Sequence, residues 1–248
     1  MKSFLSRRPY WGSVAVFAAT MALPVPFVIF FKALGLGMEP LRMIIPAAES
    51  IFIVGLIYHL GWLRQAGFFG EVRDIWVLWL PAALACAPVA LFGTIQIPAH
   101  NIALYLFALI LTGVHEEGFA RAFLMKVLYP HGIWPAVLFS SALFSLSHLS
   151  NLFFAQMGVL EMFTKFFLTF SFGLMYCALF LRTLNIWPLI VIHAAWDFSF
   201  LVSGTEGPYV VTPFPASLHM AIGLASCAYA VQILRSLDHD GTLKRLEG

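Results

Sequence analysis

Two adjacent carboxylates and a guanidinium lie in one of the most apolar stretches of the chain. The sequence His115-Glu116-Glu117-Gly118-Phe119-Ala120-Arg121 follows residues 102–114, which carry no charge, and precedes Ala122-Phe123-Leu124-Met125. A charge at bilayer depth costs about 2.5–3.5 kcal/mol on insertion scales, so ionisable residues there point to function. On a helix, Glu117 and Arg121 sit one turn apart on nearly the same face. That spacing suits an ion pair. Glu116 points about a quarter-turn away, without that partner, and its carboxylate is left for chemistry.

Two further polar stations follow in apolar surroundings. The second is Phe144-Ser145-Leu146-Ser147-His148-Leu149-Ser150-Asn151, with Phe144 and His148 on one face at i, i+4. The third is His193-Ala194-Ala195-Trp196-Asp197, which sets an imidazole one turn from a carboxylate. Singly, each has an ordinary explanation: a packed histidine, a pair satisfied within one helix, a structural ion pair. Unsatisfied polar groups are costly in hydrocarbon, so the three stations are expected to converge on a common interior cavity. Glutamate, two histidines and a further carboxylate in one cavity are the parts needed to activate water. His59, His100, His131, His219 and His239 fall near expected helix ends or in loops and read as structural or interfacial. His115 reads the same way, because no second histidine follows four residues on as in the zinc-protease His-Glu-x-x-His pattern.

The elements that must hold these stations are membrane helices. The chain has 248 residues, 61% of them hydrophobic and 10% charged. Soluble domains run near 45–50% apolar and about 25% charged, so the fold class is all-α and polytopic. A formal net charge of +2 leaves no basic surface for nucleic acid. Cys86, Cys177 and Cys227 lie in apolar runs without paired spacing and read as small core residues. The apolar run after the basic N-terminal segment is too long for a cleaved signal peptide and reads as a retained first span.

About eight transmembrane helices are expected, at residues 11–33, 42–63, 74–93, 101–128, 133–150, 160–182, 186–203 and 213–235. The fourth exceeds the length a bilayer needs and is expected to break or tilt near Gly118. Gly35-Leu36-Gly37, Gly67 with Gly70, Pro130 with Gly132, and Gly204 through Pro208 punctuate the linkers. The whole chain, 1–248, reads as a single membrane domain with its core at about 100–203. With the N-terminus in the cytoplasm, the inner side receives Lys2, Arg7, Arg8, Arg64, Arg73, Lys126, Arg182, Arg235, Lys244 and Arg245. The outer side receives Lys32, Arg42 and Lys165, while Arg121 belongs to the first station. Ten against three places both termini in the cytoplasm, and a bacterial inner membrane is the expected location.

Taken together, Glu116-Glu117-x-x-x-Arg121, Phe144-x-x-x-His148 and His193-x-x-x-Asp197 resemble the three motifs of the CPBP family of intramembrane proteases. That family includes type II CAAX prenyl endopeptidases and bacteriocin-processing and immunity proteins. The resemblance implies an endopeptidase with a water-accessible site inside the membrane, acting on a peptide or protein substrate, in some members a membrane-anchored one. It implies that Glu116 and His148 activate the attacking water, that His193 and Asp197 stabilise the oxyanion, and that Glu117 and Arg121 support them.

Asp197 stands where CAAX-processing members often carry asparagine. An amide can donate to an oxyanion, whereas an ionised aspartate only accepts. Asp197 is therefore expected to orient His193 as an acceptor, unless it is itself protonated. Zinc is compatible with the ligand types, but the ligands would come from three helices, and no obligatory metal is expected. Two readings from other classes stay open: a proton-coupled transporter, and a non-catalytic membrane scaffold or immunity protein of the same fold. Against the transporter, the chain shows no inverted repeat.

Overall fold

The computed structural model describes residues 1–71, 73–148, 158–205, 214–237, 241, 242, 244 and 246. Leu149, Ser150 and Asn151 of the second station, residues 206–208 of the last linker, His239 and Arg245 lie outside them. Among the described residues the chain is helical and has no strand. A short α1 (Lys2–Arg7) leads into α2 (Pro9–Ala22) and α3 (Pro24–Ala33). Pro24 and Pro26 interrupt what the sequence presents as one span, because proline supplies no N–H to the preceding turn. Then come α4 (Leu41–His59), α5 (Trp79–Ala85), α6 (Ala87–Phe92) and α7 (Ala99–Glu117). After α7 come a π-helical segment (Gly118–Phe123), α8 (Leu124–Leu128), α9 (Ile133–Ser147), α10 (Val159–Thr183), α11 (Trp187–Ser203) and α12 (Ala216–Arg235).

Six helical stretches are long and apolar enough to cross a membrane: Pro9–Ala33, Leu41–His59, Ile75–Phe92, Ala99–His131, Val159–Thr183 and Ala216–Arg235. The other two of the expected eight, Ile133–Ser147 and Trp187–Ser203, have 15 and 17 residues. At 1.5 Å per residue they rise about 22 and 25 Å, short of a hydrocarbon core of about 30 Å. These two carry the second and third stations, and much of each is buried against neighbouring helices.

α10 is the axis of the bundle. Residues 171–181 are buried without interruption, with α9 and α12 packed on either side. Small residues permit the closest crossings. A Cβ on Gly173 would lie 2.8 Å from the Cα of Ser141 on α9. One on Gly113 of α7 would lie 3.1 Å from the carbonyl oxygen of Ile190 on α11. Hydroxyls pin the same contacts in an environment where stray donors are costly. Ser145 donates to the Phe166 carbonyl at 2.8 Å, and Ser50 of α4 donates to the Leu111 carbonyl of α7 at 2.7 Å. Cys177 is buried as expected. Cys227 is half-buried, and Cys86, at the junction of α5 and α6, is exposed rather than a core residue. All three are free thiols.

Candidate active site

The first station lies where the fourth span changes helix type. The expected irregularity at Gly118 takes the form of the π-helical segment Gly118–Phe123, every residue of which is buried. A π-turn loosens the normal i→i−4 ladder and occurs often at functional sites. One carbonyl of this segment is satisfied from outside, since Ser140 on α9 donates to the Ala120 oxygen at 2.7 Å. The segment also approaches α4 closely, where a Cβ on Gly118 would lie 3.2 Å from Ile53.

Glu117 and Arg121 are fully enclosed. Arg121 Nε lies 3.0 Å from Glu117 Oε2, with side-chain exposures of 1% and 0%. The guanidinium is flanked by two rings, its Cζ 4.2 Å from the centroid of Phe144 and 5.4 Å from that of Tyr176. Both distances fall within cation–π range. The second-station phenylalanine thus covers the first-station arginine.

The other oxygen of Glu117 reaches the third station. His193 Nδ1 and Glu117 Oε1 are 2.7 Å apart. The opposite ring nitrogen, Nε2, faces Asp197 Oδ2 at 3.5 Å and Glu116 Oε2 at 3.6 Å. Beside Asp197, the acceptor expected from sequence, the His193 ring has a closer one in Glu117 on α7, at the opposite nitrogen. The cross-helix bond is the shorter because α7 and α11 meet at Gly113.

His148 caps α9. Its Nδ1 is 2.9 Å from the carbonyl oxygen of Phe144 and 3.2 Å from Ser147 Oγ. A carbonyl only accepts, so Nδ1 carries the proton and Nε2 of the neutral ring holds a lone pair. The ring sits edge-on to Phe144, centroids 5.0 Å apart, and Phe144 is likewise edge-on to His193 at 6.3 Å.

The residues singled out by the motifs therefore converge, Arg121, His148 and His193 on the rings of Phe144 and Tyr176 and Glu116 on the far nitrogen of His193. A small cavity of about 50 Å³ lies among them, lined by Glu117, Arg121, His148, His193 and Asp197 together with rings of α9, α10 and α11. It adjoins a far larger cavity of about 1100 Å³, whose lining includes Glu116, His148 and Asp197. Glu116 Oε2 has no hydrogen-bond partner among the described residues, and its side chain keeps 21% exposure. Among the described residues no three His, Cys, Asp or Glu side chains form a metal-ligand set.

Several members of the site are not singled out by the motifs. Glu49 of α4 lines the large cavity beside Glu116, and its Oε2 lies 3.5 Å from His115 Nδ1. His115 is therefore buried against a carboxylate from another helix. The signal for Glu49 was present: it is the one carboxylate in the apolar run 43–58, and an ionisable residue at that depth calls for a partner. Tyr176, Thr169, Phe172 and Trp196 complete the small cavity. Their residue types are those of any packed helix, and nothing in sequence separates them from the core.

No curated protein matches the chain. Residues 98–199, which span all three stations, match the family described as "Type II CAAX prenyl endopeptidase Rce1-like". Over those residues the chain is similar to that family, in keeping with the CPBP resemblance of its three motifs.

Proposed function

We propose that the protein is an intramembrane endopeptidase that hydrolyses a peptide bond with water activated by Glu116 and His148. The observation that carries this reading is that Glu116 on α7 and a histidine whose Nδ1 is committed to a backbone carbonyl line the same cavity. The Glu116 side chain, 21% exposed on the cavity wall, can accept a proton from water at its carboxylate, and His148 Nε2 offers a second lone pair at the same cavity. The hydroxide formed attacks the scissile carbonyl carbon. The C–N bond then breaks as the amine leaving group takes the proton from the glutamic acid.

The oxyanion needs a donor, and His193 is suited to supply it. With both ring nitrogens protonated, Nδ1 donates to Glu117 while Nε2 points to the open side, where Asp197 and the oxyanion compete for it. Glu117 and Arg121 hold the ring and take no part in proton transfer. No step in this scheme uses a metal. The proposed setting is a bacterial inner membrane with both chain termini in the cytoplasm, on the strength of the basic-residue count. The substrate is a peptide or protein segment that reaches a cavity enclosed by lipid.

The direct test is Glu116→Ala and His148→Ala in purified protein against a peptide panel. Each is expected to lower turnover by two to four orders of magnitude, roughly the worth of positioned general acid–base groups. Near wild-type hydrolysis by both would end the proposal.

A further inference from the structure

A second buried pair stands on the wall of the large cavity and takes no part in the scheme above. Glu49 of α4 and His115 of α7 both line it, with Glu49 Oε2 3.5 Å from His115 Nδ1. Their side chains are 13% and 8% exposed. Two neighbouring contacts fix the pair in place. Ser50, the next residue along α4, donates to the Leu111 carbonyl of α7 at 2.7 Å, and Gly118 closes on Ile53. An ionisable residue at this depth calls for a partner, yet the pairing leaves both members incomplete. His115 Nε2 is buried and has no hydrogen-bond partner among the described residues. Glu49 faces an imidazole at 3.5 Å and no full cation.

The chain's own arginines do not supply that cation. Among the described residues their ion pairs run from Arg42 to Glu39, Arg73 to Glu71, Arg121 to Glu117 and Arg182 to Asp74. Arg42 lines the same cavity but lies seven residues before Glu49, about 10 Å along α4. Its guanidinium is held by Glu39 at 3.1 Å and donates to the Tyr105 hydroxyl at 3.2 Å. Residues 149–157 and 206–213, outside the described residues, contain no lysine or arginine. A buried carboxyl is costly without a matched partner, and on a cavity wall an occupant can provide one.

We infer that Glu49 and His115 form a subsite for a cationic side chain, lysine or arginine, of the peptide that occupies the cavity. Calling the occupant a substrate rests on the peptidase reading; the preference for a cation rests on the pair itself. A cation within about 4–6 Å holds a carboxyl in its ionised form. With the His115 proton on Nδ1, facing Glu49, Nε2 keeps a lone pair, so both members accept and suit a group that only donates. Ile45, one turn before Glu49, and Thr112, one turn before His115, continue the two helix faces along the cavity wall. The aliphatic stem of the cationic residue can lie on them. His115 directly precedes Glu116. Because an extended chain advances about 3.3–3.6 Å per residue, the cationic residue falls within about three positions of the cleaved bond.

The test compares N-acetylated peptides that carry either lysine or its uncharged isostere norleucine at one position near the cleaved bond, each such position in turn. With the full-length wild-type protein, lysine is expected to raise kcat/KM by about tenfold or more at one position. Glu49→Gln is expected to bring that ratio close to one. Equal rates for lysine and norleucine at every position in the wild type, a comparison that needs no variant, overturn the inference. A lysine preference unaltered in Glu49→Gln overturns it too. Binding of the same peptides to Glu116→Gln, read by fluorescence anisotropy, requires no turnover. Tighter binding of a lysine peptide that Glu49→Gln abolishes, in a protein whose wild type hydrolyses nothing, would sink the peptidase reading and leave the subsite standing. Hydrolysis without any lysine preference would do the reverse.

Discussion

Glu116 and Glu117 are neighbours in sequence and opposites in environment. Glu117 is 0% exposed, held between Arg121 and His193. Glu116 is 21% exposed, 3.6 Å from the far nitrogen of the same histidine, on the wall of the large cavity. About 100° of helix rotation separates the two directions. The difference teaches that a charged cluster in a membrane can be divided into an enclosed, dry half and a half on a cavity wall; we propose that the first fixes geometry and that the second, the wet half, exchanges protons. His193 belongs to both, with one nitrogen on each side.

That division is broken most severely by removing the residue that spans it. His193→Ala takes away the proposed oxyanion donor, and kcat is expected to fall by about 10²–10³-fold, the usual loss for one such donor. A variant hydrolysing peptides at near wild-type rate would place oxyanion stabilisation elsewhere.

The dry half should answer in stability. Arg121→Met strands the Glu117 carboxylate among rings, and breaking a buried pair from one side costs about 3–5 kcal/mol. The expected outcome is a large drop in the Tm of the detergent-purified protein. An unchanged Tm would show that the pair is not the structural member of the cluster.

A smaller effect sharpens the wet half. Glu49→Gln keeps the shape of the side chain beside His115 but removes an ionisable carboxyl near Glu116. The expected result is a change in turnover of about tenfold or less with an unaltered Tm, since a neighbouring charge shifts a barrier by about 1 kcal/mol at an effective dielectric near 20 and longer range. A Tm drop without a change in turnover would assign Glu49 to packing.

Much of this division is legible in the sequence, because charge in an apolar stretch is costly and so stands out. Glu116, Glu117, Arg121, His148, His193 and Asp197 announce themselves that way, and i, i+4 spacing correctly pairs Glu117 with Arg121. Contacts between helices are not legible. Spacing along α11 pairs His193 with Asp197, whereas the shorter contact is to Glu117, 76 residues away in sequence. It exists because α7 and α11 cross at a glycine. The π-helical segment gives only a weak sign in advance, an overlong span with Gly118 inside it. Counting apolar residues yields eight spans, but not that two of them are short helices packed deep in the bundle. Tyr176 carries no distinguishing mark, although with Phe144 it flanks the guanidinium of Arg121.

The central claim is that one of two adjacent glutamates does chemistry and the other does not. Glu116→Gln and Glu117→Gln, purified side by side and assayed for both peptide hydrolysis and thermal unfolding, test it most directly. The account predicts that Glu116→Gln unfolds at the wild-type Tm yet has lost turnover, whereas Glu117→Gln unfolds at a clearly lower temperature. Near wild-type hydrolysis by Glu116→Gln would contradict it.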